Sequence, residues 1–135
     1  MKTLSNICRR SHAGATLLDK RVPKWYRRIN TKDLYIAGCK NCVLGQLFSR
    51  YDLGLQSLNI TNQEAIALGM YAGVRKARKR EHRYLALTSE WRARIAERLL
   101  ADRATATLPA MRTHVKRTLA VAVAAAISII CLIIP

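Results

Sequence analysis

Cys39 and Cys42 form a C-x-x-C pair. Two thiolates at that spacing leave a tight turn together, to hold a metal ion or to cycle as a redox dithiol. A closed zinc site needs four ligands, and Cys8 with His12, a C-x3-H pair upstream, completes a Cys3His set. Cys8, His12, Cys39 and Cys42 are therefore the candidate metal site, with zinc as the implied cofactor. The plainer alternative is that Cys42 packs as a small apolar residue beside Leu44 and Phe48, with Cys39 free at a turn. Four cysteines in a chain read as cytoplasmic do not make a disulfide framework.

The second chemical feature is charge. The chain of 135 residues carries a formal net charge of +16, which draws it to phosphate backbones, acidic lipid headgroups or acidic protein surfaces. Arg75, Lys76, Arg78, Lys79, Arg80 and Arg83 lie in one short run against Glu81 alone, and are the candidate anionic-surface contacts. Tyr71 and Tyr84 flank the run, a placement that allows stacking on nucleic-acid bases. A solvated or headgroup-facing surface explains the run equally well. Phosphate contacts alone carry no sequence information, and no helix-turn-helix or zinc-finger spacing is complete.

Catalytic constellations are not visible. His12, His82 and His114 sit in basic surroundings without an adjacent acid to orient an imidazole. P-loop, G-x-S-x-G and H-E-x-x-H patterns are all missing. Trp25 and Trp91 read as core anchors. The expectation is a non-enzymatic protein.

The elements that position these residues read as short helices. Residues 1–11 are polar and basic and are expected to be loose. A helix is expected from His12 to Lys20. Pro23 suits the first turn of another, PKWYRRI, in which Trp25 and Ile29 share a face. Leu34 to Ala37 reads as a brief extended segment broken by Gly38. Helical spacing covers Cys42 to Phe48 and continues over Tyr51 to Leu58. Thr61 and Glu64 form a capping box that opens a helix ending near Gly69. Thr88 or Ser89 is expected to cap the helix EWRARIAERLLADRA, with Trp91, Ile95, Leu99 and the stem of Arg98 as its buried stripe.

The last eighteen residues, TLAVAVAAAISIICLIIP, carry no charge. That length is at the short end for a membrane-spanning helix, and its branched and leucine residues favour insertion by about 4 kcal/mol. Arg112, Lys116 and Arg117 flank it, and positive flanks stay cytoplasmic. The expected organisation is a basic N-terminus (1–11), a small helical domain (12–103), a linker (104–116) and a transmembrane tail (117–135). The fold class is mostly α, several short helices plus one C-terminal transmembrane helix. The expected location is the cytoplasmic face of a host inner membrane. No apolar h-region marks a signal peptide at the amino end.

Gly14, Leu17-Leu18-Asp19, Pro23, Trp25, Ile29, the run Cys42-Val43-Leu44-Gly45-Gln46-Leu47-Phe48, Tyr51, Gly54-Leu55, Leu58, Ala65, Gly69, Leu87-Thr88 and Trp91 together resemble a family of small proteins of actinobacterial phages and prophages. The resemblance covers roughly residues 13–100 and implies an accessory phage protein. It implies no catalytic residue. The cysteine spacing and the apolar tail depart from the family's usual pattern. The expected function is binding of a membrane-associated host or phage partner, for example in superinfection exclusion. The alternative is a soluble nucleic-acid-binding regulator.

Overall fold

The structure, a computed structural model, describes residues 2–73 and 80–106. Contacts divide the chain into two units, Met1–Leu99 and Leu100–Pro135. In the second, only residues 100–106 are described, and they are helical. All regular structure among the described residues is helical.

The first unit contains α1 (Lys2–Arg21), a 3-10 turn (Trp25–Arg28), α2 (Val43–Phe48), α3 (Tyr51–Ser57) and α4 (Asn62–Ala67), then α5 over residues 80–99. α1 forms because Ile7, Ser11, Gly14, Ala15 and Leu18 recur at helical spacing and all are buried. Lys20 and Arg21 complement the dipole of its last turn. The loose segment expected over residues 1–11 is thus a correction: a buried stripe that begins at Ile7 extends the helix. Small residues hid that stripe, since Ser11 and Gly14 do not register as apolar.

α1 lies unusually close to its neighbours. A Cβ on Gly14 would stand 2.2 Å from the Leu68 carbonyl oxygen and 2.9 Å from Trp91 Cζ2. Opposite it, Gly69 turns the chain after α4 with φ +66, a conformation that costs glycine nothing. Its carbonyl accepts the Trp91 indole N–H at 2.8 Å. Arg10 reaches across from α1, donating from Nε to the Ile66 carbonyl at 2.6 Å and from Nη2 to the Tyr71 carbonyl at 2.8 Å. It thereby ties α1 to the end of α4 and to the chain that follows it.

The 3-10 turn replaces the expected α-helical turn at PKWYRRI. Lys24, not Pro23, precedes it, in the left-handed region at φ 57. Trp25 and Ile29 are both buried, but not as one α-helical face, because the 3-10 turn ends at Arg28 and Ile29 is extended. Residues 34–37 are turn and coil rather than extended strand. Arg92 holds that loop by donating to the Thr31 and Leu34 carbonyls.

α4 has the expected capping box. Thr61 Oγ1 accepts the Glu64 N–H at 3.2 Å, and the Glu64 carboxylate accepts the Thr61 N–H at 2.7 Å. α5 differs from expectation at its start. Thr88 lies within the helix, where its hydroxyl donates to the Tyr84 carbonyl at 2.8 Å and accepts the Ile36 N–H at 3.1 Å. Tyr84, Leu87, Trp91 and Ile95 are buried at three- and four-residue steps, so one apolar face runs past the expected cap. Residues 104–106 are helical rather than linker.

The expected fold class is corrected in its membrane-spanning part. Among the described residues, no helix is long and apolar enough to cross a membrane. α1 has 20 residues but carries Arg9, Arg10, Asp19, Lys20 and Arg21 and buries one face only. The tail at 117–135 lies outside the described residues, as do Arg112, Lys116 and Arg117.

Replacing Gly14 with alanine is expected to destabilise the protein by about 1–3 kcal/mol, because the new methyl meets a backbone carbonyl and a packed indole. Urea unfolding followed by tryptophan fluorescence measures the midpoint, with Ala13→Gly at the exposed neighbouring position as the comparison.

Candidate functional site

The C-x-x-C pair is a helix cap. Cys42 is the N-cap of α2, and its Sγ accepts the Gly45 N–H at 3.2 Å. A Cβ on Gly45 would come within 2.4 Å of the Cys39 carbonyl oxygen, so the Cys39–Lys40 turn folds onto the first turn of α2. Burial pushes the Cys42 thiol up, against formation of a thiolate. Cys39 is exposed. Cys8 is half-buried on α1, with its sulfur 3.8 Å from Arg94 Nη2, and His12 is exposed. Among the described residues, no three His, Cys, Asp or Glu side chains gather to hold a metal ion. The Cys3His set of Cys8, His12, Cys39 and Cys42 is not assembled. In the native protein, Cys39 is expected to react with iodoacetamide well ahead of Cys42. Peptide mass spectrometry over a labelling time course reads the order directly.

The rest of the VLGQLF run is also structural. Val43, Leu44 and Leu47 enter the core. Gln46 accepts the Asn30 N–H at 2.7 Å and donates to the Asn30 and Asn41 carbonyls. Arg28 donates to the Leu47 carbonyl at 2.9 Å, at the end of α2.

A polar latch joins α1, the 3-10 turn and α5. The Asp19 carboxylate accepts the Trp25 indole N–H at 2.8 Å and two donors of Arg98 at 2.8 and 2.5 Å. The Arg98 guanidinium also sits 5.6 Å from the Trp25 ring centroid, and Trp25 meets Trp91 edge-to-face at 5.7 Å. Arg98 thus acts through its charge as well as its stem. The Arg98 hydrogen bond, chiefly, holds the Asp19 carboxyl below the usual aspartate range. A depressed folded pKa adds stability above the unfolded value, and that stability is lost as pH falls through the folded one. Asp19→Asn is therefore expected to lower the urea midpoint at neutral pH. The gap to the parent protein closes as the pH is brought below the ordinary aspartate value.

Six further carboxylates also bond to side chains of the fold, mostly at its surface. Asp33 accepts from Asn30, Asp52 from Arg50, Glu64 from Thr61 and Glu81 from the Tyr35 hydroxyl. Glu90 and Glu97 both face Arg94, at 3.7 and 3.0 Å. By contrast, Arg9, Lys20, Arg21, Lys24, Lys32 and Lys40 are exposed and make no ion pair among the described residues.

Of the expected anionic-surface contacts, Arg75, Lys76, Arg78 and Lys79 lie outside the described residues. Arg80 is exposed and Arg83 half-buried on the first turn of α5. Arg83 lies near enough to Arg10 for its charge, after burial, to weaken the hold of Arg10 on its proton. The flanking tyrosines are not open for stacking. Tyr84 is buried and packs edge-on against Tyr71 at 5.7 Å, while Tyr71 packs on Tyr51 at 6.0 Å. Burial pushes the Tyr51 hydroxyl up to about 12.

Two features were not singled out from sequence. The cations Lys20, Arg21 and Lys24 crowd the end of α1 and the turn after it. Their density was visible in the run DKRVPK, but there they read only as helix end. The other is an open groove of about 530 Å³ lined by Thr31, Lys32, Arg92, Ile95, Ala96 and Leu99. Nothing local signals it, because its two walls are some sixty residues apart in the chain.

No protein-family model, curated protein or solved structure matches the chain.

Proposed function

We propose that the chain is a non-enzymatic accessory protein of the phage type it resembles, acting at the cytoplasmic face of a host membrane, where its cationic surface binds an anionic one. One observation carries this reading: Asp19, Asp33, Asp52, Glu64, Glu81, Glu90 and Glu97 each bond to a side chain of the fold, while Lys20, Arg21 and Lys24 at the end of α1 are exposed and make no ion pair among the described residues. A net charge of +16 is thus an outward field rather than a set of internal pairs. Each Lys or Arg close to an anionic leaflet contributes about 1 kcal/mol. Acidic headgroups then concentrate the protein where a membrane-associated partner lies, and interference with host physiology or with a second phage follows from occupying that partner.

The test is co-sedimentation with vesicles of phosphatidylglycerol and of phosphatidylcholine. Binding to the anionic vesicles alone, weakened at least tenfold by Lys20→Glu, Arg21→Glu and Lys24→Glu together and by 0.5 M salt (about a 4 Å screening length), supports the reading. Equal binding to both vesicles, no effect of the charge reversals, or tighter binding to duplex DNA than to vesicles overturns it.

A further inference from the structure

We propose that the groove between the Thr31–Lys32 loop and α5 is the docking site for an acidic amphipathic helix of a partner protein. The proposal rests on the reading of the chain as an anion-binding module and adds where a protein partner enters. The floor of the groove is one side of α5, where Ile95 is buried, Leu99 half-buried and Ala96 exposed. Ala96 and Leu99 stand three residues apart on one face, above the buried Ile95, so they offer a short apolar stripe along the helix axis. Ala96 contributes only a methyl, which leaves room above the stripe.

The rim is cationic. Lys32 is exposed and its ammonium has no partner among the described residues. Arg92 uses Nε and Nη2 to hold the Thr31 and Leu34 carbonyls. That fixes the guanidinium in place and leaves Nη1 without a bond among the described residues. A rigid guanidinium whose remaining donors face outward suits a carboxylate. No acidic side chain lines the groove.

Shape selects the occupant. Small ligands are held in pockets that enclose most of their surface, whereas this groove is open to solvent. An open apolar strip with charge at its edge fits a helix that lays leucines at i, i+3 and i+4 into it. Charge complementarity requires glutamate or aspartate beside those leucines. The partner helix is therefore acidic, amphipathic and short.

The test uses the full chain and a fluorescein-labelled helical peptide of leucine, alanine and glutamate, with its leucines on one face, read by fluorescence anisotropy. A second peptide replaces each glutamate with lysine. The acidic peptide is expected to bind, and Lys32→Glu and Ala96→Glu are each expected to weaken it at least tenfold. Both substitutions are at exposed positions, and glutamate is a good helix former at residue 96. Circular dichroism confirms that the variants keep their helix. The lysine peptide is expected not to bind. Acidic-peptide binding that survives both substitutions, equal binding of the two peptides, or displacement of the acidic peptide by decanoate at micromolar concentration would each overturn the docking site. Loss of peptide binding with vesicle binding intact places the failure on the groove. Loss of vesicle binding by the parent protein places it on the broader reading.

Discussion

The first unit is organised around the indole of Trp91. Its N–H is held by the Gly69 carbonyl, its ring meets Trp25 edge-on, and its six-membered edge lies where a side chain on Gly14 would otherwise stand. Segments distant in sequence therefore share one contact, and two of them meet it with glycine. Gly14 gives up its Cβ, and Gly69 supplies a left-handed turn. An aromatic ring of this size removes a large apolar area from water, but only if the backbones come this close. Such packing is sensitive to a single methyl, since protein interiors have little slack.

Around that contact, polar side chains fasten irregular backbone. Between α1 and α5 the helices are short, and α2, α3 and α4 have six or seven residues. Short helices leave many carbonyls and amides without helical partners. Arg28 bonds one such group, the Leu47 carbonyl, while Arg10, Gln46, Thr88 and Arg92 bond to backbone of the turns and loops, at Tyr71, Asn30, Ile36 and Thr31. Much of the cationic composition is thus structural, with guanidinium groups serving as long, multi-donor caps. The same economy explains the surface. The acids bond to side chains of the fold, and Arg9, Lys20, Arg21, Lys24, Lys32 and Lys40 are left without an ion pair among the described residues. A partner with negative charge completes the balance that the fold leaves open.

What could be read in advance was what depends on neighbours three or four residues apart. The capping box at Thr61 and Glu64 and the spacing of Val43, Leu44 and Leu47 follow from helix geometry alone. The candidate chemistry was less legible. Cys39 and Cys42 satisfy the spacing of a ligand pair and of a helix cap equally well. The close approach of Gly45 to the preceding turn separates the two, and it is not a local property.

The sequence by itself therefore determined the helical class, the buried tryptophans, the surplus of positive charge and the absence of a recognisable catalytic motif. Each of these is set by composition or by short-range periodicity. Only the tertiary structure decided that α1 begins near the amino end, that α5 runs through Thr88, that Cys42 caps α2 while Cys39 is exposed, and that a cationic groove opens beside Ala96. Those outcomes depend on which surfaces meet across long stretches of chain, where burial and hydrogen-bond satisfaction outweigh the local signal.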